Sequence, residues 1–272
     1  MTYRLFEGKD HAFIYHRYRI PPPEEVKNLI LQYLDKKKGQ PHVLAVDLGC
    51  GTGQLSRVLA PHFHQVVGID VSESQLEQAR VVPGTPTSHT TSKGSAEELP
   101  FQDHSVDLLT ASSAAHWFDQ ARFLGEANRV LKVGGCIALV DYVLANSRLQ
   151  YQDCGDRLTH IFQEAKQTLL PHTSSPVVLS QSKLEDLFAA IPFSDKERID
   201  TIRVNTSITV RDLTGLIETW SMFQTFMKKH PREAVHMLIS TQNRLLEEMG
   251  VVSLDTKIGH EMEYFCILAS KP

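Results

Sequence analysis

Three clusters in this chain have residue types and spacings suited to chemistry. The first is Asp47-Leu48-Gly49-Cys50-Gly51-Thr52-Gly53, directly after the apolar run Val43-Leu44-Ala45-Val46. Glycines there let the backbone turn tightly and let a ligand approach main-chain N–H groups. The second is Asp70, which ends Val66-Val67-Gly68-Ile69, nineteen residues after Gly51. A carboxylate at that place can accept hydrogen bonds from both hydroxyls of a ribose, each worth roughly 1.5–3 kcal/mol. Taken alone it also reads as a helix N-cap. The third is Ala114-Ala115-His116-Trp117-Phe118-Asp119, after the apolar run that ends at Ala111. His116 there is either a base beside a ligand or a satisfied core histidine among aromatics.

The glycine cluster does not fit a dinucleotide. The GxGxxG pattern requires a third glycine. Counting from Gly49 puts Gln54 there, and counting from Gly51 puts Ser56 there. No GK[ST] follows, so a P-loop is excluded as well. The pattern is GxGxG, and its ligand should lie outside the carboxyl ends of parallel strands.

The elements that must position these residues alternate. Strands are expected at 43–46, 65–69, 87–92, 106–111 and 136–141, with helices over 23–38, 54–60, 73–80 and 119–131 between them. The Gly134-Gly135 pair marks the last helix-to-strand turn. Strands alternating with helices at this spacing define an α/β doubly wound sheet. Over 146–194 the alternation stops. A helix over 148–170, breaks at Pro171 and Pro176, and a short helix near Leu187 read as a helical cap inserted over the sheet. A strand over 197–208, helices over 212–229 and 233–249, and a last strand over 261–269 complete the chain. The whole, 1–272, is expected to be one domain.

Composition narrows the function classes. Lys and Arg number 28 against 32 Asp and Glu, a net charge of −4 with no long basic block, so no nucleic-acid partner is expected. No apolar run reaches the ~18 residues of a membrane span. The first ten residues are charged and lack the apolar core of a secretory signal, so a cytoplasmic location is expected. Cys50, Cys136, Cys154 and Cys266 form no CxxC pair and read as buried thiols. His62 and His64 flank Phe63 without neighbouring ligands, and no metal is expected.

Taken together, these motifs, with Gly94-Ser95-Ala96-Glu97-Glu98-Leu99-Pro100-Phe101 and Asn128-Arg129-Val130-Leu131-Lys132-Val133-Gly134-Gly135, resemble the class I S-adenosylmethionine-dependent methyltransferases, in the branch called methyltransferase type 11. The resemblance covers Pro23 to Asp141 and the final Tyr264-Phe265-Cys266-Ile267-Leu268. Tyr15 to Pro21 and His116-Trp117-Phe118 are similar to trans-aconitate methyltransferases within that branch. The resemblance implies a Rossmann-like sheet of seven strands, mostly parallel with one antiparallel strand, and S-adenosyl-L-methionine as cofactor. It implies that Gly49, Gly51 and Gly53 approach the methionine part of the cofactor and that Asp47 orients the loop and meets its ammonium. Asp70 would hold the ribose diol, Val71 would pack on the adenine, and Ala96 would offer its N–H to a ring nitrogen with Glu97 beside it. Relatives usually carry Asp where this chain has Ser95, whose hydroxyl accepts less strongly. Ser112 and His116 would lie under the sulfonium. The segment Tyr15 to Arg19 is either an exposed amphipathic lead-in or part of an N-terminal flap, over 3–21, that brings Tyr15 and Arg19 to the methionine carboxylate. The expected reaction is methylation of a small-molecule acceptor, first of all at a carboxylate, a choice supported by Arg17, Arg19 and Arg203. A protein or RNA methyltransferase, or a cofactor-binding module without turnover, are the alternatives.

Overall fold

In a computed structural model the described residues are 5–272. The charged first residues and the start of the expected 3–21 flap fall on 1–4, outside the described residues.

Five strands form the parallel half of the sheet. They are β1 (Leu44–Leu48), β2 (Gln65–Asp70), β3 (His89–Lys93), β4 (Val106–Ser112) and β5 (Leu131–Tyr142), in the order β3-β2-β1-β4-β5. β8 (Lys257–Ser270) runs antiparallel to β5. β7 (Asp195–Thr209) pairs with β8 along its length and so runs with the parallel set. One strand more than expected is present. β6 (Arg148–Gln150) pairs with His260 and its neighbours on the edge of β8 that β5 has just left. The helix expected over 148–170 therefore begins only at Gly155, because residues 148–150 pair with β8 as a strand, the Leu149 N–H turning to Thr159 Oγ1 of α6 at 2.9 Å.

Period-two alternation assigns the two faces of the sheet. Val46, Leu48, Leu109, Ile137 and Ile267 face one side, where α5 (Gln120–Val130) and α8 (Glu185–Ala190) cover them. Ala45, Val66, Leu108, Ala138 and Cys266 face the other, covered by α2 (Glu24–Lys37) and α3 (Gln54–Leu59). A third core lies beyond the sheet edge. It joins α6 (Gly155–Leu169) to α9 (Val210–Glu218), α10 (Ser221–Lys229) and α11 (Pro231–Met249). The continuous helix expected over 212–229 is broken there. Thr219 closes α9 with its N–H on the Gly215 and Leu216 carbonyls, and Trp220 turns inward as the N-cap of α10, its ring edge-on to Phe162. Burial of the indole, 2 % exposed, outweighs one more turn of helix.

Two helices remain. α1 (Lys9–Tyr18) crosses above the carboxyl ends of β1 and β4, and α4 (Glu73–Arg80) follows β2. α7 (Ser175–Gln181) lies near the 115–117 turn. All four cysteines are buried free thiols, and burial pushes those of Cys136 and Cys266 up to about 12.

Candidate functional site

The glycine loop leaves β1 at the centre of the sheet, where the crossovers diverge. Gly49 and Gly51 have φ of +62° and +55°, a region side chains rarely enter. A Cβ on Gly49 would lie 2.5 Å from that of Ala114, so only glycine lets the loop and the 113–117 turn approach each other. Asp70, at the end of β2, holds the loop from the side. Its Oδ2 accepts the Gly51 N–H at 2.8 Å and its Oδ1 accepts the Ser72 N–H at 2.8 Å. Burial pushes its carboxyl upward, and these N–H bonds oppose that. An ionised carboxylate has about four lone-pair sites, more than these N–H groups fill, so capacity remains for a ligand.

These elements line a cleft of about 870 Å³, its mouth included. Nine of the residues expected from the sequence stand in its wall: Tyr15, Gly49, Gly51, Asp70, Val71, Ser95, Ala96, Glu97 and Ser112. Val71 is 40 % exposed, an apolar surface free to meet a flat ring. Glu97 also anchors the far wall, its Oε1 accepting the Asp119 N–H at 2.9 Å. Arg19 and Asp47 line an adjoining cavity that shares Tyr15, Gly49 and Ser112 with the cleft. Asp47 is buried, with Ser56 Oγ donating to Oδ2 at 2.5 Å and Thr110 Oγ1 donating to Oδ1 at 3.0 Å. Burial pushes its carboxyl up to about 6 despite both hydroxyls. Gly53 stands apart. It caps α3 in a left-handed conformation and faces Arg57 and His89 rather than the cleft.

His116 opens onto a third cavity, of about 520 Å³, which we call the inner chamber. Tyr15 and Ser113 belong to all three cavities, so the spaces adjoin. His116 is 8 % exposed, and its Nδ1 lies 3.3 Å from Oδ2 of the buried Asp141. Asp141 Oδ1 accepts from Ser113 Oγ at 2.7 Å and from the Tyr142 N–H at 2.9 Å. Sequence reasoning missed Asp141 and Ser113. The available signal was a single carboxylate closing the apolar run 136–140 at the ligand end of the sheet.

α1 forms the roof between the cavities. Arg19 donates to the Tyr142 hydroxyl, its guanidinium carbon lies 4.7 Å from the Tyr15 ring centroid, and its backbone carbonyl accepts from Gln54. Phe6 packs edge-on to Trp117 and stacks on His11, whose Nε2 lies 3.0 Å from the Thr219 carbonyl oxygen. Further roofing of the chamber comes from Leu144, Val177, Trp220, Ser221 and Met222. Arg17 and Arg203 are not there: both are exposed, Arg17 over the Tyr18 ring and Arg203 on β7 opposite Glu263. His62 and His64 are exposed on either side of buried Phe63.

The polar atoms that the walls of the cleft and of the adjoining cavity leave without a partner among the described residues are both amide atoms of Gln75, Thr52 Oγ1 and Arg19 Nε. They point to a ligand with hydroxyls and a charged end, set beside the apolar surface of Val71 and Phe118. An adenosine joined to an amino acid has that description, so the residues present fit S-adenosylmethionine.

Residues 46–139 match the family described as a methyltransferase domain. Over 259 residues the chain is 25 % identical to a Dictyostelium discoideum protein that bears the methyltransferase name, covering 94 % of this chain and 92 % of that one. It is 32 % identical over 117 residues to the malonyl-[acyl-carrier protein] O-methyltransferase of Legionella pneumophila, covering 42 % of this chain and 41 % of that one. A solved structure of a type II methyltransferase from Anaeromyxobacter dehalogenans superposes with a TM-score of 0.73 at 22 % identity, covering 93 % of this chain and 98 % of that one, which is an agreement of fold. Fold, cleft and matched domain define a class I S-adenosylmethionine-dependent methyltransferase. Among the described residues no helix is long and apolar enough to cross a membrane.

Proposed function

We propose that this enzyme methylates a small organic acid in the inner chamber, with a carboxylate oxygen as acceptor. One observation carries the reading. Two donors of the chamber lining, Arg19 Nε and Trp220 Nε1, have no acceptor among the described residues, while the chamber's own acid, Asp141, already accepts from Ser113 and Tyr142. Walls with donors to spare favour an anion. The likeness of 15–21 and 116–118 to trans-aconitate methyltransferases, and a relative named for O-methylation of a malonyl group, support the same acceptor.

When bound, the cofactor supplies a methyl group already activated by a positive sulfur. The protein has to align the acceptor and exclude water, and alignment alone is worth roughly 7–11 kcal/mol. Asp70 holds the ribose, Val71 covers the adenine, and Ala96 N–H, Ser95 and Glu97 meet its edge. Gly49, Gly51 and Asp47 seat the amino-acid end, with Tyr15 and Arg19 at its carboxylate. Arg19 lines both that cavity and the chamber, so its guanidinium stands between cofactor and acceptor. Ser112 and His116 face the reacting centre. The chain acts as one domain, with 146–194 as part of its cap.

The His116–Asp141 pair favours a second reading, a hydroxyl acceptor. His116 would then take the acceptor's proton, with the Asp141 carboxylate 3.3 Å from its Nδ1. A screen of organic acids, alcohols and phenols with methyl-radiolabelled cofactor separates the two. The proposal expects a product that loses its label as methanol in mild base, as an ester does. A base-stable labelled product transfers the assignment to the hydroxyl.

A further inference from the structure

Gln75 lies in the first turn of α4, its N–H on the hydroxyl of the N-cap Ser72 at 3.3 Å. Its residue is 2 % exposed, and neither Nε2 nor Oε1 has a hydrogen-bond partner among the described residues. A buried amide without partners opposes folding, and helices seldom keep one without reason. Its surroundings supply a reason. A Cβ built on Gly51 would lie 3.6 Å from Gln75 Oε1 and 3.8 Å from Tyr15, so the amide stands over the open face of the glycine loop. On the other side of that loop, the Gly51 N–H is already taken by Asp70. Gly51, Asp70, Ser72 and Gln75 all line the cofactor cleft.

The hydrogen-bond inventory at this corner is lopsided. A ribose hydroxyl is both a donor and an acceptor, whereas an ionised Asp70 only accepts. A hydroxyl that donates to Asp70 keeps its own lone pairs unfilled in a buried place. We propose that Gln75 is the second reader of the cofactor's ribose: its Nε2 donates to a hydroxyl oxygen that donates to Asp70, and its Oε1 accepts from the neighbouring hydroxyl. The sequence reading assigned this diol to Asp70 alone. The proposal rests on the cofactor assignment and is independent of the acceptor.

Gln75→Met keeps the length of the side chain and removes both polar groups. Calorimetry of wild type and this variant with S-adenosylhomocysteine, and with its 2′-deoxy and 3′-deoxy forms, tests the assignment. S-adenosylhomocysteine should bind the variant about 10-fold more weakly, the weight of one or two neutral hydrogen bonds. That gap should close to about twofold or less for at least one deoxy ligand, the one lacking the hydroxyl that Gln75 reads. A second readout needs no ligand. Because the unbound amide is unsatisfied, the free variant should melt at the same temperature as wild type or about 2–4 °C higher. Equal affinity of wild type and variant for S-adenosylhomocysteine overturns the proposal. So does an equal loss for all three ligands, or a free variant that melts lower, since either makes the amide a structural group. No binding of S-adenosylhomocysteine by wild type would instead overturn the cofactor seating itself.

Discussion

The imidazole of His116 and the carboxylate of Asp141 meet at 3.3 Å across the ends of two neighbouring strands, β4 and β5, both side chains nearly closed to solvent. Nδ1 faces the acid, and His116 itself belongs to the lining of the inner chamber. This pairing turns the acceptor question into a pH measurement.

With a carboxylate acceptor no proton has to leave. Single-turnover rates should then be flat above about pH 6, and His116→Gln and Asp141→Asn should both retain most activity. If a hydroxyl is the acceptor, the wild-type rate rises with pH, His116→Ala costs about 10²–10⁴-fold, and Asp141→Asn moves the profile. A wild-type pH rise that disappears in His116→Gln would end the carboxylate assignment.

Asp70 joins the glycine loop to β2 and lines the cleft. Asp70→Ala should weaken binding of S-adenosylhomocysteine by about 1.5–3 kcal/mol or more, through loss of a charged acceptor. NAD should bind neither protein appreciably, because the third dinucleotide glycine is Gln54 or Ser56. Calorimetry in which NAD binds more tightly than S-adenosylhomocysteine would contradict the seating described above.

Folding favours the neutral form of the Asp47 carboxyl. Its value near 6 lies above the 3.8 of an unfolded chain. The folded state therefore binds the proton more tightly, and this contribution to stability is full below about pH 4 and is lost as pH rises through 6. At pH 7.5 the ionised group costs about 2–3 kcal/mol. Asp47→Asn should stabilise the free protein at pH 7.5, lose its advantage at pH 4, and bind cofactor product more weakly. Denaturant titrations at the two pH values check the sign. An Asn variant less stable at pH 7.5 would show that the charge is compensated.

His260 has the opposite sign. It is 1 % exposed on β8, packs edge-on to Phe162, and has no partner for either ring nitrogen among the described residues. Burial lowers it from 6.5 to about 4. The neutral ring's contribution is complete above pH 6.5 and falls away as pH drops toward 4, by about 3 kcal/mol in all. His260→Leu should flatten the acid limb of the stability curve between those values. An unchanged acid limb would place the acid sensitivity elsewhere.

The roof over the cleft is tied at few points. Ser72 and Ser74 hydroxyls hold the Phe6 and Glu7 carbonyls, and His11 reaches Thr219. Amide exchange in residues 5–21 and 146–194 should slow when S-adenosylhomocysteine is added, as for segments that close over a reacting centre. If one segment exchanges at the same rate with and without ligand, that segment is not a lid.

Much of the cofactor side was legible in the chain itself. Asp47, Gly49, Gly51 and Asp70 owe their positions to local rules: a strand, a turn that requires positive φ, and a second strand in parallel register with the first. Those rules act over a few residues, so the loop, its carboxylate and the sheet order around β1 could be read from spacing. The limits of local reading appear wherever distant segments compete for the same backbone or the same core. Residues 148–150 became a strand because β8 offered an edge to pair with, and Trp220 broke a helix because a third core had room for its ring. The acceptor side was decided at this level. Asp141 meets His116, Gln75 stands over Gly51, and Arg17 and Arg203 stay on the surface, because side-chain neighbours across strands and helices depend on packing. One sequence records no such proximity; it exists only once the chain has closed on itself.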